Sequence, residues 1–173
     1  MGGDAAWLAL VWRLPTGSST PRVTIWRSLK RLGAATLTPG AALLPYREEL
    51  LEQLGWLAQE IDEMGGDAWI LPVTELTEME ESRVHQQVSA EREGEYRSLE
   101  RAAFEALQRR AARAPSSRDV TALRARLDRV RARDHFGASG QQQARDAIDR
   151  CVAAWSESDM ARPRKELSRQ CTL

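Results

Sequence analysis

The chain has 173 residues, of which 42% are hydrophobic and 29% charged, enough for one globular domain with an appendage or for two small domains. This composition excludes collagen-like, mucin-like and disulfide-scaffold proteins. No run approaches 18 apolar residues, and Met1-Gly2-Gly3-Asp4 lacks the basic flank of a signal peptide, so we expect a cytoplasmic protein without membrane contact. Cys151 and Cys171 lie far apart without a histidine at ligand spacing, so we expect reduced thiols and no metal or other cofactor.

The formal net charge is zero, but the charges are segregated along the chain. Residues 1–45 carry 5 basic and 1 acidic side chains, residues 46–105 carry 5 and 16, and residues 106–173 carry 15 and 8. Basic ends around an acidic middle indicate either a polyanion-binding face or segments that neutralise one another within the fold or across a dimer. Almost all the positive charge is arginine, which suits bidentate contacts to phosphates and carboxylates.

Hydrophobic periodicity predicts four strands and two helices in the first 75 residues. They are expected at residues 7–14 (strand), 21–32 (helix), 34–37 and 41–44 (strands), 46–64 (helix) and 68–73 (strand). The first strand is apolar on both faces, which is typical of a central strand. The last contains Pro72, which cannot donate to a sheet ladder and therefore favours an edge.

This β-α-β-β-α-β order is typical of the ferredoxin-like α+β fold, with the first strand central and the last at an edge. Both helices then pack on one side of the sheet. The opposite side, which includes Trp7, Ala9 and Val11, needs a cover from the remaining chain or from a second subunit. Since such sheets commonly pair, we expect a homodimer.

The remaining chain is helical by pattern and forms a three-segment α-helical extension. Its helices are expected at residues 77–113, 118–134 and 141–156. We therefore expect a ferredoxin-like domain at residues 5–75, a helical extension at residues 76–157 and a flexible tail at residues 158–173.

Five separated strings of this sequence resemble one known family in the same order, over roughly residues 6–155. The strings are Trp7-Leu8-x-Leu10-Val11-x-Arg13-Leu14-Pro15, Arg22-Val23-x-x-Trp26-Arg27-x-Leu29-Lys30-Arg31-Leu32-Gly33-Ala34, Trp56-Leu57-x-x-Glu60-Ile61-x-Glu63-Met64-Gly65-Gly66, Glu93-x-Glu95-Tyr96 and Arg129-x-Arg131-x-Arg133-Asp134-x-Phe136-Gly137-Ala138. They resemble the N-terminal region of the ChrB-type chromate-resistance regulators.

The resemblance implies a cytoplasmic, operator-binding protein that governs the expression of a chromate transporter in response to chromate. It also implies a further C-terminal domain, beginning near Arg162-Pro163-Arg164, so we expect the sensor domain to be separate or missing from this chain. The sheet domain is distantly similar to the ferredoxin-like domain of the phenylacetate-pathway repressor PaaX and to the small nucleases of CRISPR adaptation.

Candidate DNA-binding residues come from two helices. On the helix at residues 118–134, Arg126, Arg129 and Arg133 form one row away from the apolar stripe, at a spacing that suits successive phosphates. Alternatively, these arginines meet the glutamates of residues 75–105 across a helix pair. The helix at residues 21–32 offers a second set. Its members, Arg27, Lys30 and Arg31, form either a second phosphate-binding patch or a solvated face.

Catalytic groups are not evident, so we expect no enzyme, no catalytic residue and no metal site. The similar nucleases need an acidic residue at the end of the first strand, where this chain has Arg13-Leu14-Pro15. For His85 and His135 we expect packing or surface roles. The leading interpretation is a DNA-binding regulator of chromate resistance. The alternatives are a protein-interaction or oligomerisation module without DNA binding and, more distantly, a metal-dependent nuclease.

Overall fold

The computed structural model describes residues 5–16, 20–109 and 115–160. Nine helices and strands lie in these ranges. They are β1 (Trp7–Arg13), α1 (Thr20–Leu32), β2 (Ala35–Thr38), β3 (Ala41–Pro45), α2 (Glu48–Glu63), β4 (Asp67–Val73), α3 (Glu78–Gln108), α4 (Ser117–Ala132) and α5 (Gln141–Met160). The tail expected to be flexible lies mostly outside the described residues, although α5 continues four residues beyond its predicted end.

The four strands form one antiparallel sheet in the order β2-β3-β1-β4. This confirms the ferredoxin-like α+β fold, with β1 central and β4 at an edge. Pro72 in β4 lies opposite Leu8 of β1. The edge position tolerates the proline because an edge strand leaves part of its hydrogen-bonding capacity unused.

Alternation along β1 divides its side chains between two apolar cores. Leu8 and Leu10 are almost completely buried against α1 and α2, in contact with Ile25, Leu29 and Leu54. Burying a side chain of this size contributes about 1.5–3 kcal/mol. The helices therefore pack on one side of the sheet, as predicted.

The opposite side of the sheet is covered in part by the chain itself. Trp7 packs with Val84 and Val88 of α3, and Phe136 lies against the same cluster. The first turns of α3 thus supply the expected cover. On the same face of β4, Trp69 and Leu71 remain about half exposed, at 52% and 48%.

The chain forms two compact units. The first contains the sheet, α1, α2, the part of α3 up to Glu93, and residues Val130–Ser139. The second contains Gly94–Arg129 and the residues from Gly140 onward. The domain boundaries expected near residues 75 and 157 stay a prediction.

Gly33 allows residues Val130–Ser139, which belong to the first unit, to pack closely against the end of α1. Its φ of +77° is a left-handed conformation that favours glycine. A Cβ at this position would lie 2.4 Å from the carbonyl oxygen of Arg133. The segment that follows α4 can therefore approach the end of α1 because Gly33 has no side chain. Of the described helices, none has the length and apolar character needed to cross a membrane.

Candidate nucleic-acid interface

The basic side chains of α1 lie on the side of the helix away from the core. Ile25 and Leu29 are buried, which directs Arg27 and Arg31 toward solvent. Arg27 is exposed and has no hydrogen-bond or ion-pair partner among the described residues. Arg31 is also exposed, and its Nη2 donates to the Ser28 hydroxyl at 2.8 Å. The guanidinium groups of Arg27 and Arg31 are therefore both accessible from solvent.

Lys30 has a different environment, because its ammonium group forms an ion pair with Glu91 of α3. The same ammonium lies 5.6 Å from the centre of the Trp26 ring, a cation–π distance. Glu91 also accepts a hydrogen bond at 3.0 Å from Arg92, whose side chain is almost completely buried. A phosphate would have to compete with Glu91 for Lys30. At this position a basic residue does meet the acidic segment.

On α4 the apolar stripe is buried as predicted, and the row of arginines turns away from it. The stripe consists of Val120, Leu123, Leu127 and Val130. Arg129 is exposed and without an ion-pair or hydrogen-bond partner in the described part of the chain. Arg126 is half-buried, and its Nη2 donates to the Ser98 hydroxyl of α3 at 2.9 Å. Arg126 therefore contacts the acidic segment, residues 75–105, through a serine hydroxyl and not through a glutamate.

Arg133 lies just beyond α4, which ends at Ala132, two residues before its predicted end. The backbone N–H groups of Arg133 and Asp134 close a turn on the carbonyls of Val130 and Arg131. The Asp134 carboxylate accepts from the N–H of Ala138, which fixes the next turn. Arg133 itself is half-buried beside Gly33. It is therefore less accessible to a ligand than Arg129.

Sequence reasoning missed a basic groove in the second unit. Arg97, Arg101 and Phe104 follow one another at helical spacing on α3, and Arg150 of α5 lines the same groove. The helical spacing of the three α3 residues could have been recognised in the sequence. The contribution of Arg150 could not, because it depends on how α3 and α5 pack together.

The end of β1, where the CRISPR-adaptation nucleases need an acidic residue for their metal ion, holds an ion pair in this chain. Arg13 at the end of β1 donates to Asp67 of β4 at 2.6 and 3.2 Å. In the described ranges, no three histidine, cysteine, aspartate or glutamate side chains are grouped closely enough to hold a metal ion.

The two histidines and Cys151 pack against other parts of the fold. The His85 ring lies 4.3 Å from the Phe136 ring. His135 Nε2 lies 2.7 Å from the carbonyl oxygen of Leu32, so this nitrogen carries the proton that is donated. Burial lowers the pKa of His135, and burial raises the pKa of the Cys151 thiol, which donates to the Ala103 carbonyl at 3.2 Å. Cys171 lies outside the described residues.

Comparison with known proteins identifies the family. The family model described as "Protein ChrB, N-terminal" matches residues 22–161, which is most of the chain. The chain belongs to the ChrB N-terminal family. Protein ChrB of Cupriavidus metallidurans is 38% identical over 96 residues, covering 56% of this chain and 26% of that protein. The matched region of ChrB is thus about a quarter of its length. No solved structure matches the chain.

Proposed function

We propose that this ChrB N-terminal region is the DNA-binding part of a cytoplasmic regulator of chromate resistance. The observation that carries the proposal is that Arg129 and Arg27 are exposed and lack partners among the described residues, in a chain of this family. Such guanidinium groups can bind phosphate without first breaking a protein contact. The chromate response itself rests on the family resemblance.

The six candidate residues are expected to contribute unequally. Arg129 and Arg27 bind phosphate with the smallest free-energy cost, because each has to give up only hydrogen bonds to water. Arg126 and Arg31 each exchange a serine hydroxyl for a phosphate, which is favourable because the phosphate oxygens carry the opposite charge and can pair with the guanidinium in a bidentate way. Lys30 has to leave Glu91. Arg133 is half-buried, so it contributes least together with Lys30.

The contacts assigned here position the protein on DNA and carry no base specificity. The three α1 residues do not lie in a helix-turn-helix arrangement, because α1 follows β1 directly in a βαβ unit. We propose that sequence preference comes from the pairing of two copies on symmetry-related half-sites. A homodimer is therefore part of this proposal.

Fluorescence anisotropy with a duplex from the promoter of the neighbouring chromate-transporter gene tests the ranking. Charge reversal at Arg129 or Arg27 is expected to weaken binding more than reversal at Arg31, and reversal at Lys30 least. Arg83→Glu is the matched control, because Arg83 is exposed within the acidic part of α3. Equal binding by all variants would refute the proposal.

The ion pair between Lys30 and Glu91 favours one alternative, an oligomerisation module without DNA binding. It shows that at least one basic side chain of α1 is neutralised by the acidic segment. Under this alternative, the purified chain would not bind DNA even at low salt. Its self-association would instead fall as the salt concentration rises.

A further inference from the structure

A groove of about 780 Å³ runs between α3 and α5 within the second unit. Its apolar surface comes from Phe104, Leu107 and Ala147, and the Phe104 side chain is 57% exposed. From Arg97 to Gln108 the lining spans twelve residues of α3, a rise of about 16 Å at 1.5 Å per residue. An elongated apolar groove between two helices is the kind of surface that accepts a third helix.

The charged residues of the groove are mostly basic and have no ion-pair partners among the described residues. Arg97, Arg101 and Arg150 line it together with one acidic residue, Glu100. All three arginines are exposed, and none has a hydrogen bond or ion pair with any described residue. The groove therefore fits an acidic helix with an apolar side chain at its centre. The residues that follow α5 are unsuitable, since residues 161–173 carry four basic and one acidic side chains.

The exposed face of α2 has this chemistry. Trp56 is 66% exposed, although Leu54 and Leu57 beside it are buried. At 100° per residue, four glutamates lie within about 40° of Trp56 on the helix surface. They are Glu49, Glu52, Glu60 and Glu63. None of the four has an ion-pair partner among the described residues, and α2 itself contains no basic residue. Arg31 of α1 lines a pocket together with Trp56 and Glu60.

We propose that the α2 face centred on Trp56 binds the α3–α5 groove of a second copy of this chain. Trp56 packs against Phe104, and the four glutamates lie near Arg97, Arg101 and Arg150 of the other copy. The proposal rests on the homodimer named under the proposed function and identifies its contact surface. In a two-fold dimer this contact would form twice, because each copy offers one face and one groove.

Two features of the groove favour a helix over DNA as its occupant. Phosphate contacts are polar, and a duplex would leave Phe104 and Leu107 facing water. A tryptophan buries this apolar surface, and aromatic residues at the centre of an interface carry much of the binding energy. The flanking charges set the orientation and make association sensitive to salt.

Sedimentation equilibrium of the full chain tests the proposal with two charge-reversal variants. Arg97→Glu/Arg101→Glu changes the groove, and Glu49→Lys/Glu52→Lys changes the α2 face. Each variant alone is expected to raise the dimer dissociation constant at least tenfold. An equimolar mixture of the two is expected to restore dimerisation. In the mixed dimer the reversed face of one variant meets the reversed groove of the other, and the second contact pairs an unchanged face with an unchanged groove.

Control variants carry a single charge reversal of each sign elsewhere. Arg124→Glu lies on the exposed side of α4 and Glu78→Lys at the start of α3, and both are expected to dimerise like the wild type. Circular dichroism confirms that every variant is folded. Trp56→Gln is a second, uncharged test and should also weaken the dimer.

A monomeric wild type at high concentration, or dimerisation unchanged in both charge-reversal variants, would overturn the proposal. So would a loss of DNA affinity in Arg97→Glu/Arg101→Glu without any change in self-association, since the groove would then bind nucleic acid. The proposed function fails separately, by anisotropy, if charge reversal at Arg129 leaves DNA binding intact. The two failures are distinguishable because they are measured on different residues.

Discussion

Lys30 of α1 and Glu91 of α3 are 61 residues apart in the sequence and form an ion pair in the first unit. Each side chain is about one-third exposed. Glu91 also forms an ion pair with Arg92, so one carboxylate contacts two basic side chains. The acidic segment thus neutralises part of α1, while Arg27 and Arg129 remain accessible.

Lys30→Met is expected to reduce the free energy of unfolding by no more than about 1 kcal/mol, because the pair is partly exposed and Arg92 continues to neutralise Glu91. Urea denaturation measures the change. Glu91→Gln should cost more, since it leaves the nearly buried Arg92 without this carboxylate. A larger loss for Lys30→Met than for Glu91→Gln would contradict this assignment.

Gly33→Ala is expected to destabilise the first unit by more than about 2 kcal/mol. The left-handed backbone alone costs about 1–2 kcal/mol with a side chain, and the added Cβ would collide with the Arg133 carbonyl. Gly94→Ala is the control, because nothing lies within 4 Å of the added Cβ inside α3. That variant should gain up to about 1 kcal/mol from helix propensity. Thermal denaturation of both variants provides the comparison.

The pH dependence of stability is expected to contain a contribution from His135. Because burial lowers its pKa in the folded chain, the unfolded chain binds a proton first as the pH falls. The contribution of His135 is therefore constant above its ordinary pKa near 6.5 and is lost progressively as the pH falls below it. His135→Gln should reduce this decline in urea titrations between pH 7.5 and 5.5. His85→Gln should keep it, since His135 is intact; an equal decline in all three proteins would refute the assignment.

Ser116→Ala is expected to destabilise α4 by about 1 kcal/mol. The Ser116 hydroxyl accepts from the Asp119 N–H at 3.2 Å, and the Asp119 carboxylate accepts from both Ser116 donors at 2.7 and 2.9 Å. These hydrogen bonds also lower the pKa of Asp119. The substitution should therefore raise that pKa toward its ordinary value. Carboxyl chemical shifts measured against pH test this directly, and an unchanged pKa would contradict the capping role.

The sequence predicted the sheet well because its signals are local and strong. The two-sided apolar run of β1 indicated a central strand, and Pro72 indicated an edge. The buried stripe of α4 followed from helical periodicity, but its end did not, since the turn at Arg133 depends on the approach to Gly33. Lys30 could not be distinguished from Arg27 in the sequence. Their difference comes from Glu91, which only tertiary packing brings near one of them.

The salt dependence of DNA binding by Arg129→Gln tests the central claim most directly. If Arg129 binds a phosphate, this neutral variant releases about one counterion fewer on binding. The slope of the logarithm of affinity against the logarithm of salt concentration should then become shallower by about 0.9 relative to the wild type. A slope equal to that of the wild type, with affinity also unchanged, would contradict the account.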